Sequence, residues 1–142
     1  MIGARVAAQA LELLGPIDGP MVVVGGGATL SSRLPAARDG EAAAAAICSF
    51  LGEPADAAAR GRCLDAIAAR LVPGAPLVVV DHNQPRAWWP RVLACVPLAL
   101  RGLGPSRARH PVAREVRDHG FTIERLRFAA GERVQLVLAR RC

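Results

Sequence analysis

The sequence predicts an α/β domain built on one mostly parallel sheet, with its last two strands folded back as an antiparallel hairpin. Three observations carry this. The run "PLVVVD" at residues 76–81 is almost wholly apolar, the pattern of a parallel strand covered on both faces. Short apolar runs alternate with amphipathic stretches that close on glycine or proline, as βα units do. The final runs "FTIERLRFA" and "RVQLVLARR" are joined by a short Ala-Gly-Glu turn, which suits a hairpin.

Taken in order, residues 3–14 put Val6, Ala10, Leu13 and Leu14 on one helical face, and Gly15-Pro16 supplies the stop. "MVVV" is a short buried strand, expected over 20–25. A run of alanines reaches "AICSFL", whose β-branched and aromatic end, with Gly52 and Pro54 behind it, favours a strand over 43–50. Residues 55–71 set Leu64, Ile67, Ala68 and Leu71 at helical spacing with charges opposite, and Pro73-Gly74 ends that helix. After "PLVVVD" comes a proline-broken apolar segment, 87–103, then a helix from Pro111 to His119 stopped by Gly120. The closing strands are expected over 121–128 and 133–139, with Val134, Leu136 and Leu138 alternating as in a half-buried strand.

A chain of 142 residues fits a single domain, 1–142, with one core. The net charge of +6 sets 18 basic residues, all arginine, against 12 acidic ones; the arginines are spread along the chain and grouped only in "RLRF" and "ARRC", unlike the clustered, aromatic-interleaved patch of a nucleic-acid surface. Cys48, Cys63, Cys95 and Cys142 show neither CxxC spacing nor a histidine at zinc-site distance, so thiols in a reducing cytoplasm are expected. His110 and His119 flank the last helix without a metal-ligand companion. "MIGARVAAQALELLG" has glutamine and glutamate where a signal peptide has its apolar centre. "AWWPRVLACVPLALRGL" is too short, and too broken by Arg91 and prolines, to span a bilayer; it reads as a cap over a site or an interfacial helix.

The run "VVVGGGATLSSRLP" admits two readings: a glycine loop that lets the backbone approach a nucleotide, or a strand leaving the core through a flexible turn. Residues 28–35 are too short and too rich in breakers for a crossover helix, which favours the turn.

In sequence order, "RCLDAIAARLVPGAPLVVVDHNQPR", a helix, "GFTIERL" and a closing strand resemble the second half of the class I S-adenosylmethionine-dependent methyltransferases, over residues 44–140. The motif "LVPGAPLVVVDHN" carries most of the likeness, with Ala75 where the family usually has glycine. The resemblance implies a truncated Rossmann-like sheet and S-adenosylmethionine as cofactor. It likens "VVVGGG" to the family's third strand, with Gly25 and Gly26 passing beneath the adenine, and puts the family's own cofactor loop upstream of Met1. It sets Ser49, Phe50 and Glu53 among cofactor and substrate contacts, while Phe50 also reads as core. The family's acidic ribose ligand has no counterpart, and Ala44 and Gly26 stand where aspartates are usual.

Ligands of open α/β sheets bind beyond the carboxyl ends of the strands, which brings Asp81, His82 and Asn83 to a site edge. His82 is a candidate general base, since imidazole titrates near neutrality and can take a proton from an acceptor hydroxyl or amine; the alternative is a solvated ring beside an aspartate capping the strand. Trp88 and Trp89 stack on a flat or apolar acceptor, rest on a membrane surface, or pack their segment onto the domain. Two functions stay open. One is methyl transfer to a small-molecule acceptor; the other is a non-catalytic remnant serving as a binding or dimerisation module. A sheet lacking two family strands exposes apolar surface, so a homodimer or complex is expected.

Overall fold

A computed structural model describes residues 4–25, 37–38, 40–51, 57–83, 96 and 112–142. Eight elements follow one another: α1 (Ala4–Leu14), β1 (Met21–Val24), β2 (Ala45–Ser49), α2 (Ala57–Arg70), β3 (Pro76–His82), α3 (Val112–Asp118), β4 (Phe121–Ala129) and β5 (Val134–Arg141). The five strands form one sheet in the order β1-β2-β3-β5-β4. The first three run parallel, with Met21 opposite Ala45 and Ala46 opposite Leu77. β5 joins β3 antiparallel and β4 pairs back onto β5. "MVVV" therefore pairs directly with "AICS". Left alone, a buried strand would carry unsatisfied backbone groups.

Strand alternation sends neighbouring residues to opposite faces, and both faces are covered. Ala45, Ile47, Val78, Val80, Leu136 and Leu138 pack with Val6, Ala10, Leu13 and Leu14 of α1. Ala46, Cys48, Leu77, Val79, Val137 and Ala139 pack with Leu64 and Ile67 of α2 and Val112 and Val116 of α3. This three-layer arrangement explains the unbroken apolar run of β3, since Leu77 to Val80 must be greasy on both sides.

β5 departs from the expected half-buried strand. Val134 to Ala139 are all buried, because β5 is inserted between β3 and β4 and meets helices on both faces. Its one polar residue there, Gln135, donates from Nε2 to the His82 carbonyl at 3.0 Å. β4 takes the edge instead, with Leu126 and Phe128 exposed. It is broken by a register shift between Ile123 and Arg125 and carries Glu124, Arg125 and Arg127, devices that discourage further pairing. At the opposite edge the Met21 carbonyl accepts from the Ala37 N–H at 2.8 Å.

No helix among the described residues is long and apolar enough to cross a membrane. The apolar segment 87–103, apart from exposed Val96, lies outside the described residues.

Candidate functional site

A cleft of about 200 Å³ opens where β1 and β2 end, beside the first half of α2. Val24, Gly25, Ser49 and Phe50 line it from the strands, Arg60 and Cys63 from the helix. This is the carboxyl edge of the parallel strands, where ligands of such sheets bind.

Gly25 ends β1 with φ of +72°, and a Cβ built there would stand 2.2 Å from the Ser49 carbonyl oxygen. Only glycine allows β1 and β2 to approach this closely while the chain turns left-handed. Ser49 is buried, and its Oγ accepts from the Leu51 N–H at 3.4 Å. Phe50 serves both expected roles. It belongs to the core, its N–H donating to the Val80 carbonyl at 2.9 Å, and it also walls the cleft.

Over the Phe50 ring lies the Arg60 guanidinium, 4.0 Å from the centroid. Arg60 is 3% exposed and joins two carboxylates: its Nη2 donates to Asp81 at 2.6 Å and to Glu115 at 2.9 Å, while its Nε reaches both Glu115 oxygens at 3.1 Å. Burial acts to lower its pKa, but the hydrogen bonds it donates to Glu115 and then to Asp81 outweigh this, and the net direction is up. The triad ties α2 to β3 and α3. Sequence reasoning missed Arg60, although the signal was present: it sits four residues before Leu64 and seven before Ile67, on the apolar stripe of α2.

Asp81 thus turns towards α2, buried, with its other oxygen accepting from the His82 N–H at 2.7 Å. One residue on, alternation sends the half-buried His82 to the α1 face, away from the cleft. Asn83 ties the exit of β3 to the β4–β5 turn: its Nδ2 donates to the Glu132 carbonyl at 2.7 Å and its N–H to the Arg133 carbonyl at 2.8 Å. The structure therefore gathers Gly25, Ser49 and Phe50 around one cleft, with Asp81 behind Arg60, and sets His82 and Asn83 beyond the lining. Gly26, Glu53, Trp88, Trp89, Cys95 and His110 lie outside the described residues. His119 Nδ1 meets Asp65 of α2 at 2.7 Å.

Two thiols meet at the cleft, Cys63 in its lining and Cys48 buried beneath it. Cys48 Sγ and Cys63 Sγ are 3.9 Å apart. The contact with Cys63, together with burial, holds the Cys48 thiol well above the ordinary thiol range.

No protein-family model matches the sequence. No curated protein matches it either. Solved structures do share its architecture. The pyocyanin biosynthetic protein PhzM superposes with a TM-score of 0.72 at 18% identity, over 98% of this chain and 55% of its own. Human N-acetylserotonin methyltransferase, solved with S-adenosylmethionine (SAM), gives 0.63 at 16% identity, over 99% and 52%. The glycopeptide N-methyltransferase MtfA, solved with S-adenosylhomocysteine, gives 0.65 at 15% identity, over 100% and 91%. The chain spans about half the length of the first two. The likeness runs through almost the whole chain, beyond the residues 44–140 of the sequence resemblance. At these identities it shows the fold, and the fold is that of the S-adenosylmethionine-dependent methyltransferases.

Proposed function

We propose that residues 1–142 form one methyltransferase-like domain that binds S-adenosylmethionine and acts in methyl transfer to a small-molecule acceptor. One observation carries the reading: the cleft opens at the carboxyl ends of two adjacent parallel strands, where a glycine run leaves β1. In doubly wound sheets the glycine-bearing first strand lies beside the strand that opens the second half, and the cofactor sits at that junction. β1 stands in that relation to β2, which supports Gly25 and Gly26 as the cofactor loop itself rather than as a segment beneath the adenine.

The lining suits the cofactor's flat part. Val24 and Phe50 offer apolar surface, Gly25 lets backbone come close, and Ser49 backs the turn. The cofactor supplies an electrophilic methyl group on its sulfonium. The acceptor side is assigned to Asp81, His82 and Asn83 with Trp88 and Trp89. In this reading Asp81 holds Arg60 against Phe50, and His82 takes the acceptor's proton. Because alternation turns His82 to the α1 face, an acceptor reaches it over the end of β3.

Calorimetric titration with S-adenosylmethionine and S-adenosylhomocysteine tests the proposal. Binding in the micromolar range is expected, about 8 kcal/mol of binding free energy. No heat at millimolar ligand would overturn it and leave the non-catalytic binding module.

The same reading holds the protein to be a homodimer or part of a complex in the reducing cytoplasm. Leu126 and Phe128 of β4 are each 45% exposed, apolar side chains that a partner would cover. Light scattering across a dilution series should give at least twice the chain mass at high concentration; a mass of one chain throughout would count against it.

A further inference from the structure

We propose that Cys48 and Cys63 form a reversible disulfide site, oxidised by hydrogen peroxide that enters through the cleft. The two sulfurs belong to different layers, one on β2 and one on α2, and their 3.9 Å contact bridges the sheet and the helix. Cys63 lines the cleft and is half-buried, whereas Cys48 is fully buried beneath it. This asymmetry divides the work. The outer sulfur meets the oxidant, and the inner one waits at contact distance to resolve the product. The gap must close to a bond of about 2.05 Å.

The chemistry balances with peroxide alone. The Cys63 thiolate attacks one peroxide oxygen, the O–O bond breaks, and hydroxide leaves to take up the thiol's proton as water. Cys63 is then a sulfenic acid. The Cys48 sulfur, losing its proton, attacks the Cys63 sulfur; the S–O bond breaks and the departing hydroxide leaves as the second water. Two thiols lose two electrons and peroxide becomes two waters. The raised pKa of Cys48 keeps it a thiol until that second step. Once formed, the link pins the helix wall of the cleft to its floor, beside Arg60 and Phe50.

Cys142 sits elsewhere, beside Thr122 of β4 at the far edge of the sheet, its Sγ 3.3 Å from Thr122 Oγ1. It offers an internal comparison.

The sequence makes the link easy to read, because Arg60 and Arg62 are tryptic sites between the two cysteines. The folded wild-type protein is treated with hydrogen peroxide, quenched, alkylated and digested without reductant. Peptide 39–60 is expected joined to peptide 63–70, with two of the four thiols lost and both restored by dithiothreitol. Cys48→Ala, checked for folding by circular dichroism, should lose this link and leave a Cys63 sulfenic acid that dimedone traps. Four intact thiols would overturn the proposal. So would Cys63 driven to sulfinic acid in the wild type, or a dominant link through Cys95 or Cys142.

Discussion

Replacing Arg60 with methionine is expected to lower the stability of the fold by about 3–5 kcal/mol. The reason lies in what the substitution strands. Arg60 and Asp81 side chains are each 3% exposed and Glu115 is 12% exposed, so neither carboxylate can turn to water without opening the packing of α2 and α3 against the sheet. Removing the shared cation leaves the buried Asp81 carboxylate without its counter-charge in a poorly solvated space. Chemical denaturation reads the effect as a fall in midpoint at unchanged slope. A companion variant separates stranding from loss of attraction: Arg60→Met with Asp81→Leu and Glu115→Leu should recover most of the stability, since apolar replacement of a whole buried ion cluster is often neutral. A single variant within about 1 kcal/mol of wild type would mean that the carboxylates find other partners.

Gly25→Ala should cost about 2–5 kcal/mol, adding a left-handed backbone penalty of roughly 1–2 to an overpacking penalty of roughly 1–3. Gly74 provides the control. It has nearly the same backbone, φ of +77° against +72°, but nothing within 4 Å of an added Cβ, whereas at Gly25 the Ser49 carbonyl oxygen is 2.2 Å away. Gly74→Ala should therefore show the backbone part alone, about 1–2 kcal/mol. Equal losses at the two positions would show that β1 and β2 move apart without cost, and that the close approach at the cleft is not required for folding. Thermal unfolding of the two variants side by side decides this.

Much of the architecture was legible because the sheet is buried on both faces. "MVVV", "AICS" and "PLVVV" can be continuous apolar runs only where helices cover both sides, and the helix stops at Gly15, Pro73 and Gly120 punctuate them. The site was harder to read. Gly25, Ser49 and Phe50 were recognisable from their place after strands. Asp81 was recognisable as an edge residue, but not as the partner of an arginine 21 positions earlier. Arg60 carries a charge at a position whose helical neighbours are Leu64 and Ile67, a conflict that single-residue hydropathy averages away. The burial of β5 escaped for a different reason. Its alternation of Val134, Leu136 and Leu138 describes one face correctly, and nothing local tells that Val137 and Ala139 meet a second layer.

The central position of β5 also bears on how the chain is made. The ribosome delivers β1, β2 and β3 first, and these can zip together in parallel as they emerge. β3 then has a full row of unpaired amides and carbonyls on its far side, and β4, the next strand to appear, does not belong there. The neighbour that does belong, Val134–Arg141, comes last among the five strands. Until residues 134–141 are made, the nascent protein thus presents an open, greasy strand edge to its surroundings. Such an edge invites pairing with another copy on the same polysome, and makes a holding chaperone useful until β5 slots in.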